Sequence, residues 1–245
     1  MKILRSDLPH CADLHGAVVV IDVLRSFTTA AYALARGASE VVAVDSIEDA
    51  REWRTRDREA LAIGALGGGA PAPGLDLGNS PSAVAALDLR GRRVILYTAG
   101  GTRGLVACDH AGVLMAASLV CATATAAFLR AAAPPSVTLV VTGEWSDRDG
   151  DEDHACADLF EALLKGEDPP RAPYAARVRD SDFGRRFSAG THPHLPAADL
   201  DCCAVVDRFD FALPIRRTPG GLVIQRGHAR DAAAAARRGA ADVPP

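Results

Sequence analysis

One stretch near the start of the chain, residues 17–36, constrains the fold more than any other. It reads AVVVIDVLRSFTTAAYALAR, in which an apolar run ends at Asp22 and an alanine-rich pattern of helical period follows. This order predicts a buried strand, a turn and the start of a helix. The turn would place the carboxylate of Asp22, the guanidinium of Arg25 and several hydroxyls beside unpaired backbone N–H groups. Such a turn suits a phosphorylated or otherwise anionic ligand, with Asp22 free to hold a divalent metal.

The rest of the chain alternates predicted strands with predicted helices. Further strands are predicted at residues 41–45, 61–64, 93–97, 112–115 and 137–142. Late strands at 202–207 and 221–225 are interpreted as antiparallel additions to the sheet. This pattern predicts a three-layer α/β/α fold with a mainly parallel, mixed sheet. Ligands bind beyond the carboxyl ends of the strands in such sheets. The polar residues that follow three of the strands, namely the one before Asp22 and those at 93–97 and 137–142, are therefore expected at one shared site.

The domain organisation is expected to be simple. Residues 1–228 are predicted to form a single domain. Within it, the segment 166–198 is rich in Pro, Arg and Asp without a clear period, and we interpret it as a lid or a crossing segment. The alanine-rich tail, residues 229–245, is predicted to be a loose helix or disordered.

The composition argues against several classes of protein. The net charge is -4 and no basic face stands out, so nucleic acid is not an expected partner. Six scattered cysteines include no CxxC pair, which favours reduced, largely buried thiols. No apolar run approaches the roughly 20 residues that span a bilayer, and the first residues lack a signal-type apolar core. The sequence predicts a soluble cytoplasmic protein without a membrane partner.

Two further stretches carry turn chemistry of possible functional use. Residues 98–104, TAGGTRG, form a second strand-to-helix turn in which glycines let the backbone approach an anion. A loop at 64–79 ends in a good helix start, with Ser80 as N-cap and Pro81 at the first helical position. Both stretches are explained equally well by ordinary turns and caps.

Structural alternatives exist for the other candidates as well. The hydroxyls of Thr28 and Thr29 can bond back to their own helix. The acidic run 147–153 is most simply a solvated loop, in which only Glu152 and Asp153 are functional candidates. We interpret His154 as an exposed histidine at a helix start rather than as a proton donor.

Six motifs, in this order, resemble the 2-phosphosulfolactate phosphatase family. They are VVVIDVLRSFTTAAYALARGA at 18–38, GLDLGNSPSA at 74–83, TAGGTRGL at 98–105, DEDHACA at 151–157, SDFGRRF at 181–187 and DLDCCAVVDRFDFALPI at 199–215. The resemblance implies a Mg²⁺-dependent phosphatase acting on a small anionic phosphorylated substrate. The family reaction converts 2-phosphosulfolactate to 3-sulfolactate on the route to coenzyme M, and a homodimer is also expected from the family.

By that resemblance, residues from four loops face one cleft: Asp22, Arg25, Thr28, Thr29, Asn79, Ser80, Thr102, Arg103, Glu152 and Asp153. Ser26 and Gly101, from the same two turns, are added as phosphate-binding candidates. The catalytic assignments go to Asp22, Arg25, Glu152 and Asp153, and the remaining residues are assigned to substrate binding. Since one or two carboxylates suffice to hold Mg²⁺, Asp22 and Asp153 are the first choices as ligands, with Glu152 third.

Three stretches depart from the family pattern, at four positions in all. Residues 64–66 read Gly-Ala-Leu where the family commonly carries Gly-Glu-Arg, and residues 100–102 read Gly-Gly-Thr in place of Asn-Gly-Thr. Asp158 replaces a small residue. Loss of a charged group from a phosphate site can cost several orders of magnitude in rate. Two alternatives therefore stay open, namely a relative acting on another phosphorylated metabolite and a non-catalytic binder of phosphorylated or sulfonated metabolites.

The mechanistic hypothesis is in-line phosphoryl transfer to water. Arg25, Arg103 and the N–H groups of both turns would hold the equatorial oxygens. Either Asp22 acts as the nucleophile or a carboxylate activates the attack. A haloacid-dehalogenase assignment is rejected, because those enzymes need a second Asp where this chain has Leu24.

Overall fold

The computed structural model describes residues 1–66 and 69–234 of the chain. Most of the predicted tail, residues 235–245, lies outside the described residues. The strands, in chain order, are β1 (Lys2–Asp7), β2 (Gly16–Ile21), β3 (Glu40–Val44), β4 (Leu61–Ala65), β5 (Arg93–Thr98), β6 (Ala111–Ala117), β7 (Ser136–Val141), β8 (Glu144–Trp145), β9 (Arg148–Asp149), β10 (Leu213–Thr218) and β11 (Gly221–Ile224).

The helices alternate with these strands over much of the chain. They are α1 (Ser26–Ala35), α2 (Ile47–Arg56), α3 (Pro81–Ala85), α4 (Gly101–Ala107), α5 (Ala122–Ala132), α6 (Asp151–Lys165), α7 (Ala172–Asp180), α8 (Asp182–Ser188) and α9 (Ala197–Cys203). The predicted helix start at Ser80 is confirmed, because its hydroxyl accepts the backbone N–H of Ala83 and Pro81 is the first helical residue.

A single sheet in the order β1-β7-β2-β6-β10-β11-β3-β5-β4 joins nine of the described strands. Strands β1, β7, β2 and β6 are mutually parallel, as are β3, β5 and β4. Strands β10 and β11 connect the two groups through antiparallel pairings. Helices cover both faces, so the predicted α/β/α fold with a mixed, mainly parallel sheet is confirmed.

The two parallel groups nonetheless bring their carboxyl ends to one place. Three antiparallel pairings separate β6 from β3, which by itself would point the groups in opposite directions. Sheet twist of about 20–25° per strand accumulates over the strands between β2 and β5. The sheet curls around α1 and α4, and α4 contacts strands of both groups. As a result, the backbone N–H of Gly101, after β5, donates to Asp22, after β2, at 2.9 Å.

Successive side chains of β2 point into two different cores, which explains why the sequence of this strand is apolar throughout. Val18 and Val20 face the core around α1 and α4, and Val19 and Ile21 face the core beneath α5 and α6. Each fully buried side chain of this kind stabilises the fold by roughly 1.5–3 kcal/mol. The strand that carries Asp22 is therefore held from both sides.

One predicted strand is wrong. Cys202 and Cys203 belong to helix α9 and not to a strand at 202–207. All six cysteines are free, and Cys202 alone among them is not fully buried, as expected for reduced thiols. The segment 166–198, interpreted as a lid or a crossing, contains α7 and α8, whose Val178, Phe183 and Phe187 enter the core.

Asp158, one of the departures from the family pattern, has a structural role. It lies on α6 and pairs with Arg5 of β1 at 2.7 Å and with Arg177 of α7 at 2.5 Å. The substitution therefore adds ion pairs between a helix and its neighbours. Among the helices of residues 1–66 and 69–234, none is long and apolar enough to cross a membrane.

Candidate functional site

Asp22 is held rigidly where β2 meets α1. Its Oδ1 accepts the backbone N–H of Ser26 at 2.9 Å. Its Oδ2 accepts the Gly101 backbone N–H at 2.9 Å and the Ser26 hydroxyl at 2.5 Å. The side chain is buried, with 8% of its surface exposed. These three donors fix the carboxylate in one orientation.

Asp153, at the start of α6, joins the ends of two neighbouring strands. Its Oδ1 accepts the backbone N–H of Val23 at 2.8 Å, and its Oδ2 accepts that of Thr142 at 3.0 Å. Burial raises the pKa of Asp153 well above its ordinary value, and the charges of Asp22 and Glu152 add to this rise. We call Asp22, Ser26, Gly101 and Asp153 the floor of the site.

Glu152 differs from the two aspartates in having an unused atom. The side chain is 1% exposed, and its Oε2 has no hydrogen-bond partner among the described residues. Burial raises the pKa of Glu152 to about 7, and the charge of Asp22 adds to the rise while Arg148 opposes it. A carboxyl with a pKa near neutrality can both take up and release a proton under ordinary conditions.

A cleft of about 230 Å³ opens above these residues. Six of the predicted site residues line it, namely Asp22, Arg25, Ser26, Asn79, Glu152 and Asp153. Gly101 contributes through its N–H bond to Asp22. The expected convergence of the loops after β2, β5 and β7 is thus present.

The donor set of the cleft fits a small hard cation. Asp22, Glu152 and Asp153 offer only oxygen ligands, and their mutual repulsion would be relieved by a positive charge. A Cβ placed on Gly143 would lie 2.9 Å from Oε1 of Glu152 and 3.1 Å from Oδ2 of Asp153, so glycine keeps this space open.

The metal-ligand side chains alone do not form a complete coordination shell. Within residues 1–66 and 69–234, no three His, Cys, Asp or Glu side chains already form a metal-binding group. An ion such as Mg²⁺ would be held by one or two carboxylates, with water as the other ligands, which is its usual preference.

Arg25 lines the cleft but is already committed to a buried ion pair. Its Nη1 lies 2.6 Å from Oδ2 of Asp199 and also donates to the carbonyl of His194 at 3.1 Å. Asp199 in turn accepts the hydroxyls of Ser80 at 2.7 Å and Ser82 at 2.5 Å. Asp199, which the sequence did not single out, therefore positions Arg25.

Six predicted residues do not line the cleft: Thr28, Thr29, Ser80, Gly101, Thr102 and Arg103. The Thr28 hydroxyl donates to the carbonyl of Val23 at 2.8 Å, and the Thr102 hydroxyl donates to the carbonyl of Thr98 at 3.0 Å. Arg103 is exposed on α4. These placements correct the expectation that all the polar residues of the turns face the ligand.

The residues that sequence reasoning missed lie on the β8–β9 hairpin and on α8. Arg148 and Arg186 line the cleft, together with Trp145 and Phe183. The Arg148 guanidinium lies over the rings of Phe183, at 4.4 Å, and Trp145, at 5.2 Å. We call Arg148 and Glu152 the open wall, because each has a buried atom without a partner among the described residues. The motif SDFGRRF at 181–187 was the available signal for Arg186 and Phe183.

The departure at residues 64–66 concerns the cleft directly. Ala65 and Leu66 line it, and Leu66 is 39% exposed. The charged side chains that the resemblance led us to expect at these two positions would border the same space. The chemistry of this chain must rely on its remaining charged groups.

Comparison with known proteins gives one consistent family. A family model described as 2-phosphosulpholactate phosphatase matches residues 3–215. A "Probable 2-phosphosulfolactate phosphatase" of Parasynechococcus marenigrum (strain WH8102) is 34% identical over 229 residues, covering 84% of this chain and 91% of the relative. A protein of the same description from Synechocystis sp. (strain ATCC 27184 / PCC 6803 / Kazusa) is 35% identical over 233 residues, covering 88% and 92%.

Proposed function

Because this chain belongs to the 2-phosphosulfolactate phosphatase family, we propose that it hydrolyses the phosphate ester of a small acidic 2-hydroxy acid with the aid of Mg²⁺. The first candidate substrate is 2-phosphosulfolactate, which would give 3-sulfolactate. The observation that carries the proposal is the convergence of three buried carboxylates and three arginines on one cleft. The expected homodimer and cytoplasmic location stay predictions.

Asp22 and Asp153 would hold the metal, with Glu152 as a further ligand or neighbour. A bound Mg²⁺ would neutralise charge on the phosphoryl oxygens and make the phosphorus easier to attack. The floor residues supply fixed geometry, since every carboxylate oxygen of Asp22 and Asp153 accepts at least one hydrogen bond. Pre-organisation of this kind lowers the barrier without rearrangement during the reaction.

Glu152 is the best candidate for the base. Its unpartnered Oε2 can accept a proton from water, whereas both oxygens of Asp22 are occupied by donors. Water would form the new O–P bond as the ester O–P bond breaks. Glu152 would take the water proton, and the leaving alkoxide would take a proton from solvent. This assignment favours activated water over Asp22 as the nucleophile.

The original phosphate-binding hypothesis needs revision. The N–H groups of Ser26 and Gly101 point to Asp22. The two N–H groups are therefore not free to hold equatorial oxygens, and Arg103 lies outside the cleft lining. The cations that remain along the cleft are Arg25, Arg148 and Arg186.

The direct test is phosphate release from 2-phosphosulfolactate and 2-phospholactate with Mg²⁺ and with EDTA. We expect turnover with Mg²⁺ and a loss of at least 100-fold on chelation. No turnover of either ester by folded protein would contradict the phosphatase proposal.

A second candidate function is a non-catalytic binder. It is favoured by one observation, the presence of Ala65 and Leu66 on the cleft where the family pattern carries charged side chains. A binder would show a higher melting temperature in the presence of 2-phosphosulfolactate without releasing phosphate. The same protein sample, assayed for both readouts, separates the two functions.

A further inference from the structure

Three arginines line the cleft, and they differ in what their charge already contacts. Arg25 pairs with buried Asp199 at 2.6 Å. Arg186 pairs with Asp147 at 2.8 Å and also donates to its backbone carbonyl at 2.6 Å. The Arg148 side chain has no salt bridge and no hydrogen bond within the described part of the chain, and its Nε is buried without a partner. A buried guanidinium N–H without an acceptor costs free energy unless a ligand supplies one.

The surroundings of Arg148 keep its charge available and in one place. Its guanidinium carbon lies 4.4 Å from the ring centroid of Phe183 and 5.2 Å from that of Trp145. Aromatic faces attract a guanidinium but cannot accept its in-plane N–H bonds as an oxyanion does. The Nε edge of the guanidinium is therefore desolvated and has no acceptor among the described residues.

Arg148 lines the same cleft as Glu152 and Asp153. The carboxyls of Glu152 and Asp153 both border the space that Gly143 leaves open. A phosphoryl group over these carboxylates would thus lie next to the guanidinium. The acidic groups of a substrate could instead use Arg186, although that arginine already has a carboxylate partner.

We propose that Arg148 is a catalytic residue that binds the oxygens of the phosphoryl group, held for this purpose between Trp145 and Phe183. This inference rests on the proposed phosphatase function and adds a residue that the sequence analysis did not assign. In-plane N–H groups of a guanidinium match two oxygens of a phosphoryl group, and they would stabilise the charge that these oxygens carry during transfer. The interaction is independent of the rest of the substrate.

That independence makes the proposal testable with a matched pair of esters. 2-Phospholactate carries a carboxylate, and isopropyl phosphate has the same skeleton with a methyl group in its place. We expect Arg148→Gln to lower kcat/KM by about 100-fold on both esters, which is the range for loss of one transition-state donor. Arg148→Lys, which keeps a point charge but loses the fork, should lose about 10-fold. The control is Arg185→Gln. Arg185 lies on α8 outside the cleft lining, and kcat/KM of this variant should stay within 2-fold of the wild-type value.

The outcomes separate this inference from the proposed function. A loss confined to 2-phospholactate would show that Arg148 recognises the carboxylate, and an unchanged rate would show that it has no role; both overturn the inference while the phosphatase function stands. If the wild-type chain hydrolyses neither ester, calorimetric titration of the wild-type protein with inorganic phosphate, with Mg²⁺ present, decides. About 10-fold weaker binding in Arg148→Gln, with Arg185→Gln unchanged, supports the phosphate site. Equal binding by all three proteins, or none by the wild type, overturns it.

A folding defect would not hide the answer. Melting curves of each variant show whether it is folded, and if Arg148→Gln is not, Arg148→Lys serves as the test variant. A loss of about 10-fold on both esters and in phosphate affinity supports the inference, and wild-type values for Arg148→Lys overturn it.

Discussion

The floor and the open wall of the cleft are built on opposite principles. In the floor, the carboxylate oxygens of Asp22 and Asp153 accept hydrogen bonds from backbone N–H groups and from Ser26. In the open wall, Glu152 and Arg148 each keep a buried polar atom without a partner among the described residues. Satisfied buried groups fix geometry, whereas unsatisfied ones cost stability and persist where a ligand completes them.

Under the proposed function, this contrast would separate residues that position the site from those that transfer a proton or stabilise charge. Strands β2, β5 and β7 meet at the floor, so its residues also hold the fold together. The open wall depends on a hairpin and the start of α6, and removing its side chains breaks fewer structural contacts. Mutations in the two regions should therefore differ in how activity and stability change together.

Asp22→Asn should have the largest effect on activity, a loss of 10³-fold or more. The amide removes a negative charge and replaces one acceptor oxygen with a donor, so one of the three donors to Asp22 loses its partner. An unsatisfied buried group costs about 1–3 kcal/mol, which lowers the melting temperature by about 2–12 °C in a chain of this size. Phosphate release and differential scanning calorimetry measure the two effects.

Asp45→Asn is the matched control for that variant. Asp45 also follows a strand, β3, but it is exposed and does not line the cleft. We expect wild-type activity and stability. If Asp22→Asn retained more than a tenth of the wild-type rate, the floor would be structural only.

Glu152→Gln should lower kcat by about 10²–10³-fold while leaving the fold intact or more stable. Gln cannot take a proton from water, and general-base catalysis is typically worth 10²–10⁴-fold. Since Glu152 Oε2 has no partner to lose, the variant tests the open wall without breaking a hydrogen bond at that atom. Glu167→Gln, an exposed substitution beyond the end of α6, is the control.

If Glu152→Gln had only a small effect on kcat and left the pH profile unchanged, another carboxylate would be the general base. In the wild-type protein, phosphate release that depends on ionised Glu152 should rise with pH. A bound cation would move this rise below the value of about 7 that applies to the metal-free protein.

The floor could be predicted from sequence and the open wall only in part. Asp22 and Asp153 follow apolar strands or begin a helix, and local patterns of this kind show where such elements end. Arg148 sits in an acidic run that resembles a solvated loop. Its importance depends on contacts with Phe183, 35 residues later, which no local pattern reports.

In the fold, too, local patterns predicted some features and long-range contacts decided others. Apolar patterns predicted most of the long strands but not β1 or β10. The curl that brings the ends of β2 and β5 together depends on β10 and β11, whose antiparallel insertion reverses the pairing directions. The false strand at 202–207 arose because a short apolar run is compatible with either a strand or a helix. Tertiary packing against α3 and α8 favours the helix.

The contrast also predicts a pH dependence of stability. The pKa of Glu152 rises from an ordinary 4.5 to about 7 in the folded, metal-free protein, chiefly through burial. A raised pKa means that this group stabilises the fold below pH 4.5 and that the contribution is lost as pH rises through about 7. The difference corresponds to about 3 kcal/mol, or about 6–12 °C in melting temperature.

The measurement compares the wild type with Glu152→Gln in EDTA between pH 4.5 and 8. The melting temperature of the variant should rise relative to that of the wild type as pH rises, because Gln has no charge to bury. Mg²⁺ should raise the wild-type melting temperature more at pH 8 than at pH 5, since it binds ionised carboxylates. A constant difference between the two proteins across this range would show that Glu152 ionises as freely in the folded state as in the unfolded state.

Arg103→Gln should have the smallest effect, a change in kcat/KM within 2-fold. Successive residues of a helix point in directions about 100° apart. At the start of α4, Gly101 donates to Asp22 and Thr102 bonds to Thr98. The next side chain, Arg103, is exposed. Arg148→Gln, expected to lose about 100-fold, provides the comparison within the same assay. A loss of 10-fold or more in Arg103→Gln would mean that the α4 turn reaches the phosphate after all, and that the floor includes a charge-stabilising group as the sequence first predicted.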